Sequence, residues 1–582
     1  MKTRLLTATA MAGTLFLATT AFAQDLPVTG ASPSPELSSD PATTASSAAD
    51  DSIVVTGSRI RRKDYDALEP TTVISSDYLN TRGLTNVADA INEQPGFGVP
   101  QNAEGGQSTY GVSQNFVNKF GLGTARTLTL VNGRRFVSTN APTVLGNPAG
   151  LQVDLNVINP LLVDRIENVS IGGAPTYGSD AIAGTINVIL KQDYVGVELQ
   201  ALSGISDKGD NYRANLAGIA GFAFGPDKRG HILIGGSYDR NDGLRAVDRE
   251  RAREALTFQT NPTVGTAQTR IPGRTPANDG RINTSVPFNG GATDGIPNTV
   301  LIGNTRIFTE SAAGLILPYN AATGGFVTYA ADGNTAGFGA GGLNRLQFDT
   351  SGNIVPFNAG TPFGNTYASG GDGFNLADTR PLTNDLERYT ANLNMDYEIT
   401  SSIKAFFEGT YYHGIGREVI DQPVYNSPLF GGANGALLFN VNDPRLTSQA
   451  RSVLQGYGVN NFYLSRDFID ITNGAAGSET DVYRGVAGLT GDFDALGKKF
   501  TWEASANYGR TEGKFHQILL DQQKFVNAIN NCNPTPTLNA APGGLRPVAD
   551  AACVAIDPFG PGRLNPAAVA YVNYRSTARS VV

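Results

Sequence analysis

From Leu386 to Ile399 apolar and polar side chains alternate. Tyr389, Ala391, Leu393, Met395, Tyr397 and Ile399 fall on one face, and Arg388, Thr390, Asn392, Asn394, Asp396 and Glu398 on the other. A period of two is the signature of a strand with two unlike faces. The pattern recurs less cleanly from Ser402 to Tyr412, and again where Trp502, Ala504, Ala506 and Tyr508 oppose Thr501, Glu503, Ser505 and Asn507. About eight or nine strands are predicted, near 195–205, 210–223, 230–241, 385–399, 402–414, 480–494, 499–512 and 514–524, with another beginning near 570. Some connections are a few residues long, such as Ser206 to Gly209, whereas 245–383 and 416–479 are very long. That asymmetry fits an antiparallel transmembrane β-barrel, with one face of each strand toward lipid, better than it fits a soluble sandwich.

Upstream, residues 64–191 read as a compact α+β domain. Pro70 to Ile74 forms a strand, and Thr85 caps a helix carrying Val87, Ala88 and Ile91 that stops at Pro95-Gly96. Two strands, Arg126 to Val131 and Arg134 to Val137, flank Asn132-Gly133, a pair suited to a tight hairpin. Two further strands, Arg165 to Ile171 and Gly184 to Leu190, enclose a glycine-rich turn and a short helical piece from Ser179 to Ile182.

The N-terminus carries an address. Lys2 and Arg4 precede an apolar run from Leu5 to Ala18 that ends in Ala21-Phe22-Ala23, so residues 1–23 read as a signal peptide. Residues 24–52 are mostly Ala, Ser, Thr, Pro and Asp and cannot bury enough surface to offset their ordering entropy, so they read as a tether. The following β-prone island, 53–60, is either a peptide that adds to another protein's sheet edge or the first strand of the next domain.

Composition narrows the classes. The 582 residues include 69 glycines, 21 tyrosines and 28 phenylalanines with 16% charged residues, as expected of many strands joined by polar loops. A net charge of -8 without an extended basic stripe argues against nucleic acid. Cys532 and Cys553, in an exported chain, predict a disulfide. His231, His413 and His516 are scattered, so no metal site or cofactor is expected, and without a nucleophile elbow or an HExxH motif no enzyme is expected. The long loop carries Phe326, Tyr329, Tyr367 and Phe374, aromatics that either meet a ligand or pin the loop.

Three segments resemble the TonB-dependent receptor family. Ile53-Val54-Val55-Thr56-Gly57 is similar to its TonB box, and Leu130 to Arg135 to its LVNGRR hairpin. The third and most specific runs from Val163-Asp164-Arg165-Ile166-Glu167 through Gly172-Gly173 and Tyr177-Gly178-Ser179-Asp180-Ala181-Ile182-Ala183-Gly184 to Ile189. The resemblance implies that 64–191 is a plug and 192–582 the N-terminal part of a barrel of about 22 strands. Roughly 390 residues follow Lys191 and supply only part of that number, so the chain is expected to be truncated. The implied function is energy-dependent import of a scarce nutrient (siderophore, cobalamin or oligosaccharide) across the outer membrane of a Gram-negative bacterium. The implied partners are outer-membrane lipid, TonB and its inner-membrane energising complex, with Ile53, Val54, Val55, Thr56 and Gly57 as the handle. A passive porin or ligand-binding surface protein with a structural plug is the alternative. Arg134, Arg135, Arg165, Glu167 and Asp180 are expected either to make polar contacts with the barrel wall or to form ordinary salt bridges, across an interface expected to be wet rather than apolar.

Overall fold

The computed structural model describes residues 71–98, 112–140, 151–169, 177–260, 299–320, 346–363, 367–419, 437–471, 475–536 and 544–582. Short strand pieces at 54–55, 62–63, 143–144, 147–148, 325–326 and 424–425 complete it. Three bodies are built from these residues.

The first is a mixed domain with a five-stranded sheet. Strand β1 (Thr71–Ser75) leads directly into helix α1 (Ser76–Arg82), and α2 (Val87–Asn92) follows. Ser75 caps α1 by accepting from the Tyr78 N–H, and Gly83 closes it in the left-handed region at φ 62°. The cap of α2 is Asn86, which accepts from the Ala88 N–H, and not Thr85. The two residues are neighbours in sequence and both types can cap, Asn ranking above Thr, and here the Asn86 amide oxygen reaches the free N–H. Strands β2 (Thr127–Val131), β3 (Arg134–Arg135), β4 (Val163–Val169) and β5 (Gly184–Leu190) complete the sheet in the order β1-β4-β5-β2-β3. Residues 179–182 form turns and bends and no helix, since Asp180 sits at φ 76°.

The second body is an eight-stranded antiparallel sheet, the wall, in which every strand pairs with its neighbours in sequence order. Its strands are β6 (Gly196–Gly204), β7 (Arg213–Phe224), β8 (Gly230–Arg245), β9 (Pro381–Thr400), β10 (Ile403–Val419), β11 (Ala475–Ala495), β12 (Lys498–Leu520) and β13 (Asn573–Val581). The separate strands expected at 499–512 and 514–524 are one continuous strand, β12. Gly513, read as a break, pairs in register with both Thr480 and Ser580.

The two faces of the wall invert the rule for soluble sheets. Leu199, Leu216, Ile234, Leu393, Tyr411 and Leu489 lie on the solvent-accessible face. Asn215, Asp239, Arg388, Asn392, Glu408 and Arg484 are buried toward the mixed domain. Apolar-out, polar-in alternation is what a strand needs when lipid is its outer solvent. The wall strands run from 9 to 23 residues, so each meets or exceeds the lower bound of the 9–11 needed to cross a bilayer at a tilt. No helix among the described residues is long and apolar enough to span one.

The third body lies where long loops were expected. The connections 246–380, 420–474 and 521–572 all leave the same end of the wall, and together they bury one apolar core. That core includes Ile316, Phe348, Phe439, Phe462, Phe525 and Phe559. Helices α3 (Ser448–Gly456), α4 (Gln522–Ile529) and α5 (Pro566–Val572) contribute to it. The start of the last wall strand thus moves from about 570 to Asn573. The Cys532–Cys553 disulfide forms within this body, with Cα atoms 5.8 Å apart.

Candidate functional site

The seam between mixed domain and wall is the candidate site, and its chemistry comes from three clusters. The first gathers on Arg388 of β9, which is 3% exposed. Its Nε donates to Asp239 Oδ2 on β8 at 2.9 Å, one terminal nitrogen donates to Asn156 Oδ1 at 2.6 Å, and the other donates to the Thr85 carbonyl. Asn156 also accepts from Asn115 at 3.0 Å and from Asn86. One guanidinium thus ties two wall strands to the helix start and to the 154–156 turn. An ionised donor makes each such bond worth about 1.5–3 kcal/mol. Beside it, Asp154 accepts from the Asn115 and Asn156 N–H groups and, at 3.4 Å, from the Tyr412 hydroxyl of β10. Burial pushes its carboxyl up to about 6, although both N–H groups and the Arg388 charge pull it down.

The second cluster is built on the β2–β3 hairpin. Asn132 at φ 50° and Gly133 at φ 75° adopt the turn that the Asn-Gly pair favours. The hairpin is pinned to β5, because Asn132 Oδ1 accepts from the Leu190 N–H and Asn187 Oδ1 from the Gly133 N–H, both at 2.9 Å. That geometry aims Arg134 at the wall. It donates to Glu408 Oε1 at 2.9 Å and Glu503 Oε1 at 2.8 Å, and stacks 4.4 Å from the Phe406 ring centroid. Arg484 donates to the other Glu408 oxygen at 3.3 Å.

The third cluster lies toward the loop body, where Ser478 Oγ donates to the Val112 carbonyl at 2.8 Å and Ser113 Oγ to the Asp385 carbonyl at 2.7 Å. Approach this close requires glycine at 416, where a Cβ would stand 2.5 Å from the Val112 oxygen.

Of the five residues expected at the wall, the structure brings Arg134 there through its side chain. Arg135 donates to Asp180 at 2.9 Å within the mixed domain, and only its backbone carbonyl meets the wall, accepting from Asn507. Arg165 pairs with Asp164 and Glu167, both neighbours in sequence, because β4 lies inside the sheet and turns these side chains along it. The seam also differs from a wholly wet interface: Ala217, Ile219, Leu233, Tyr412 and Val482 of the wall join the apolar core of the mixed domain. Polar contacts ring an apolar centre.

Of Arg388, Asp239 and Glu408, the alternation places only Arg388 on a polar face; Asp239 and Glu408 fall within the strands expected at 230–241 and 402–414. Their signal was the charged residue at inward positions of β8, β9 and β10, which a water-filled pore would also produce.

Of the segment expected to be the handle, Val54–Val55 pairs antiparallel with Arg62–Lys63, while Ile53, Thr56 and Gly57 lie outside the described residues. Phe326 pairs with Tyr319, Tyr367 is half-buried, Phe374 is buried and bonded through its backbone to Ile307, and Tyr329 lies outside the described residues. Asp193, His231 and Asp396 bring three ligand-type atoms within 4.8 Å of one another. The Lys404 ammonium already stands among them, 2.9 Å from Asp396 and 3.2 Å from Asp193.

Residues 63–185 match the family described as the TonB-dependent receptor plug domain. Among solved structures, the chain is similar to a ferric enterobactin receptor from Pseudomonas aeruginosa, with 15% identity over 82% of this chain and 53% of that one and a TM-score of 0.31. It is also similar to the siderophore receptor PiuA from Acinetobacter baumannii (11% identity, 89% and 54%, TM-score 0.35). A third is the ferric-catecholate import receptor Fiu from E. coli K12 (11% identity, 89% and 56%, TM-score 0.34). The chain spans about half the length of these structures.

Proposed function

We propose, for a chain that carries a TonB-dependent receptor plug domain at residues 63–185, that the protein is an energy-dependent outer-membrane receptor for a scarce nutrient of the siderophore, cobalamin or oligosaccharide class. The observation that carries this reading is the seam. A domain is held against a wall by hydrogen bonds to Arg388 and Glu408, while the outer side of that wall is apolar. Polar bonds can be exchanged for water when the plug shifts, whereas an all-apolar seam would have to expose its full area at once.

Nutrient held on the loop-body side biases the plug between seated and displaced arrangements. The segment Ile53 to Gly57 then serves as the handle, offering its backbone to the sheet edge of TonB, which delivers work from the inner membrane. The partners are TonB with its energising complex, a small nutrient and outer-membrane lipid.

The test uses the complete gene in a deletion strain. Uptake of ferric siderophores, cobalamin and oligosaccharides is followed with Val55→Pro, which removes one backbone donor from the handle, and with a protonophore. Both treatments are expected to abolish uptake of the native nutrient. Entry indifferent to both would replace this reading with a passive porin.

A further inference from the structure

Between the plug and the first wall strands lies a crevice of about 310 Å³ lined by both polar and apolar groups, near the lower end of small-ligand sites. The plug contributes Thr85, Asn86 and Asn115, and β6 to β9 contribute Ser203, Asn215 and Thr383 among others. Its charges balance. Asp239 is neutralised by Arg388 at 2.9 Å and Arg240 by Asp242 at 2.6 Å, while Asp89 and Arg213 add one charge of each sign.

Asn215 distinguishes this crevice from an ordinary hydrated gap. It is 6% exposed and its Nδ2 donates to Asp239 Oδ1 at 2.7 Å. The carboxylate can only accept, so the amide orientation is fixed, with nitrogen toward Asp239 and oxygen away from it. That oxygen is buried and, among the described residues, has no donor. Buried acceptors are nearly always satisfied, so the site calls for a donor that arrives from the crevice. An ammonium or metal ion would gain little where the charges already cancel. A hydroxyl supplies a donor without net charge, and its remaining lone pairs can accept from amide groups around it.

We propose that this crevice is a binding subsite for a neutral, hydroxyl-rich solute of mono- or disaccharide size, with Asn215 Oδ1 accepting from a ligand hydroxyl. The proposal deepens the receptor reading and rests on it for its purpose, since a solute seated between plug and wall stands on the route that plug movement would open.

The test is carried out on the full-length protein purified in detergent, with glucose, maltose, sucrose and chitobiose as probes. Both natural cysteines are in the disulfide, and Leu202 pairs with Asn215 on the inner face of the wall, so Leu202→Cys offers a single thiol at the crevice. At least one sugar is expected to slow its maleimide labelling saturably, by about threefold or more. The same sugar is expected to bind Asn215→Ala about three- to tenfold more weakly by calorimetry, the loss of one hydrogen bond. Labelling unchanged by every sugar, or affinity unchanged in Asn215→Ala, would overturn the proposal. Should Asn215→Ala fail to fold, Asn215→Ser, which likewise removes the amide oxygen, takes its place with the same expectation and the same overturning result. Energised uptake of an iron chelate or cobalamin with no sugar bound at the crevice would remove the subsite and leave the receptor reading. Sugar protection at Leu202→Cys combined with passive entry would do the reverse.

Discussion

Arg388 and Asp239 face each other at 2.9 Å across two neighbouring wall strands, and the same guanidinium reaches the plug at Asn156 and the Thr85 carbonyl. The ion pair inside the wall is therefore also the joint between wall and plug. Neither charge could be tolerated here alone, because the desolvation cost is met only while both are bonded.

Arg388→Ala is expected to strand the Asp239 carboxylate and to lower the stability of the seated plug by about 3–5 kcal/mol. Arg388→Lys retains the charge but loses the fork that serves strand and plug together, and an intermediate loss is expected. Urea midpoints followed by fluorescence of Trp502 provide the measurement. It is the single tryptophan and lines the cavity beneath the hairpin with Arg134 and Tyr177. Equal midpoints for wild type and Arg388→Ala would show that the joint carries no stability.

Asp154 gives the seam a pH dependence of unusual sign. Its carboxyl stands at about 6 in the folded protein, raised by burial from 3.8. Between those values the folded state holds a proton that the unfolded state has released. Stability from this group is therefore greater at pH 4 and declines as pH rises through 6, a change of about 3 kcal/mol. Paired carboxylates elsewhere act in the opposite direction, so the informative quantity is a difference. The urea midpoint of Asp154→Asn minus that of wild type is expected to grow from pH 4 to pH 6 and then level off. A difference independent of pH would mean that Asp154 does not titrate in this window.

The strands and the hairpin were legible because each rests on a local rule. The alternation in β9 sets its faces, and Asn132-Gly133 sets a turn whose two positive φ values most other residues resist. The loop body was not legible. Phe348, Phe462 and Phe559 meet in one core, yet they lie in three connections separated by wall strands, and no local pattern links one connection to another. The partners of Arg165 and Arg134 were hidden for a related reason. Both arginines looked alike in sequence, and only the hairpin's projection beyond the sheet separates the one that reaches Glu408 from the one that pairs with Glu167.

The disulfide closes the segment after α4 onto the core that α5 also covers. Cys532 and Cys553 are 21 positions apart, a loop for which cross-linking restricts the unfolded chain by about 3 kcal/mol in the chain-entropy model. A Cys532→Ser, Cys553→Ser double variant is expected to become sensitive to protease between residues 521 and 572. Trp502 fluorescence, which reports on the far end of the wall, is expected to stay unchanged. Simultaneous loss of both signals would indicate that loop body and wall unfold as one unit.

Two wall glycines offer a graded test of how closely the plug is fitted. A Cβ at Gly509 would lie 2.7 Å from the Val137 side chain, whereas one at Gly416 would lie 2.5 Å from the Val112 carbonyl oxygen and 2.7 Å from Ser113 Cβ. Neither obstacle is a loose side-chain end: Val137 Cβ is fixed by its own backbone and does not move on χ1 rotation, and the Val112 carbonyl is held by the bond from Ser478. Overpacking of this kind costs about 1–3 kcal/mol, more where the neighbour cannot give way. Gly509→Ala and Gly416→Ala are therefore both expected to lower the urea midpoint, Gly416→Ala the more because its contacts are shorter and include a backbone oxygen, with Gly416→Val worse again. The reverse order would mean that the Val112 to Ser113 segment yields more easily than the segment after β3 that carries Val137, and that the firmest part of the seam lies at the hairpin end.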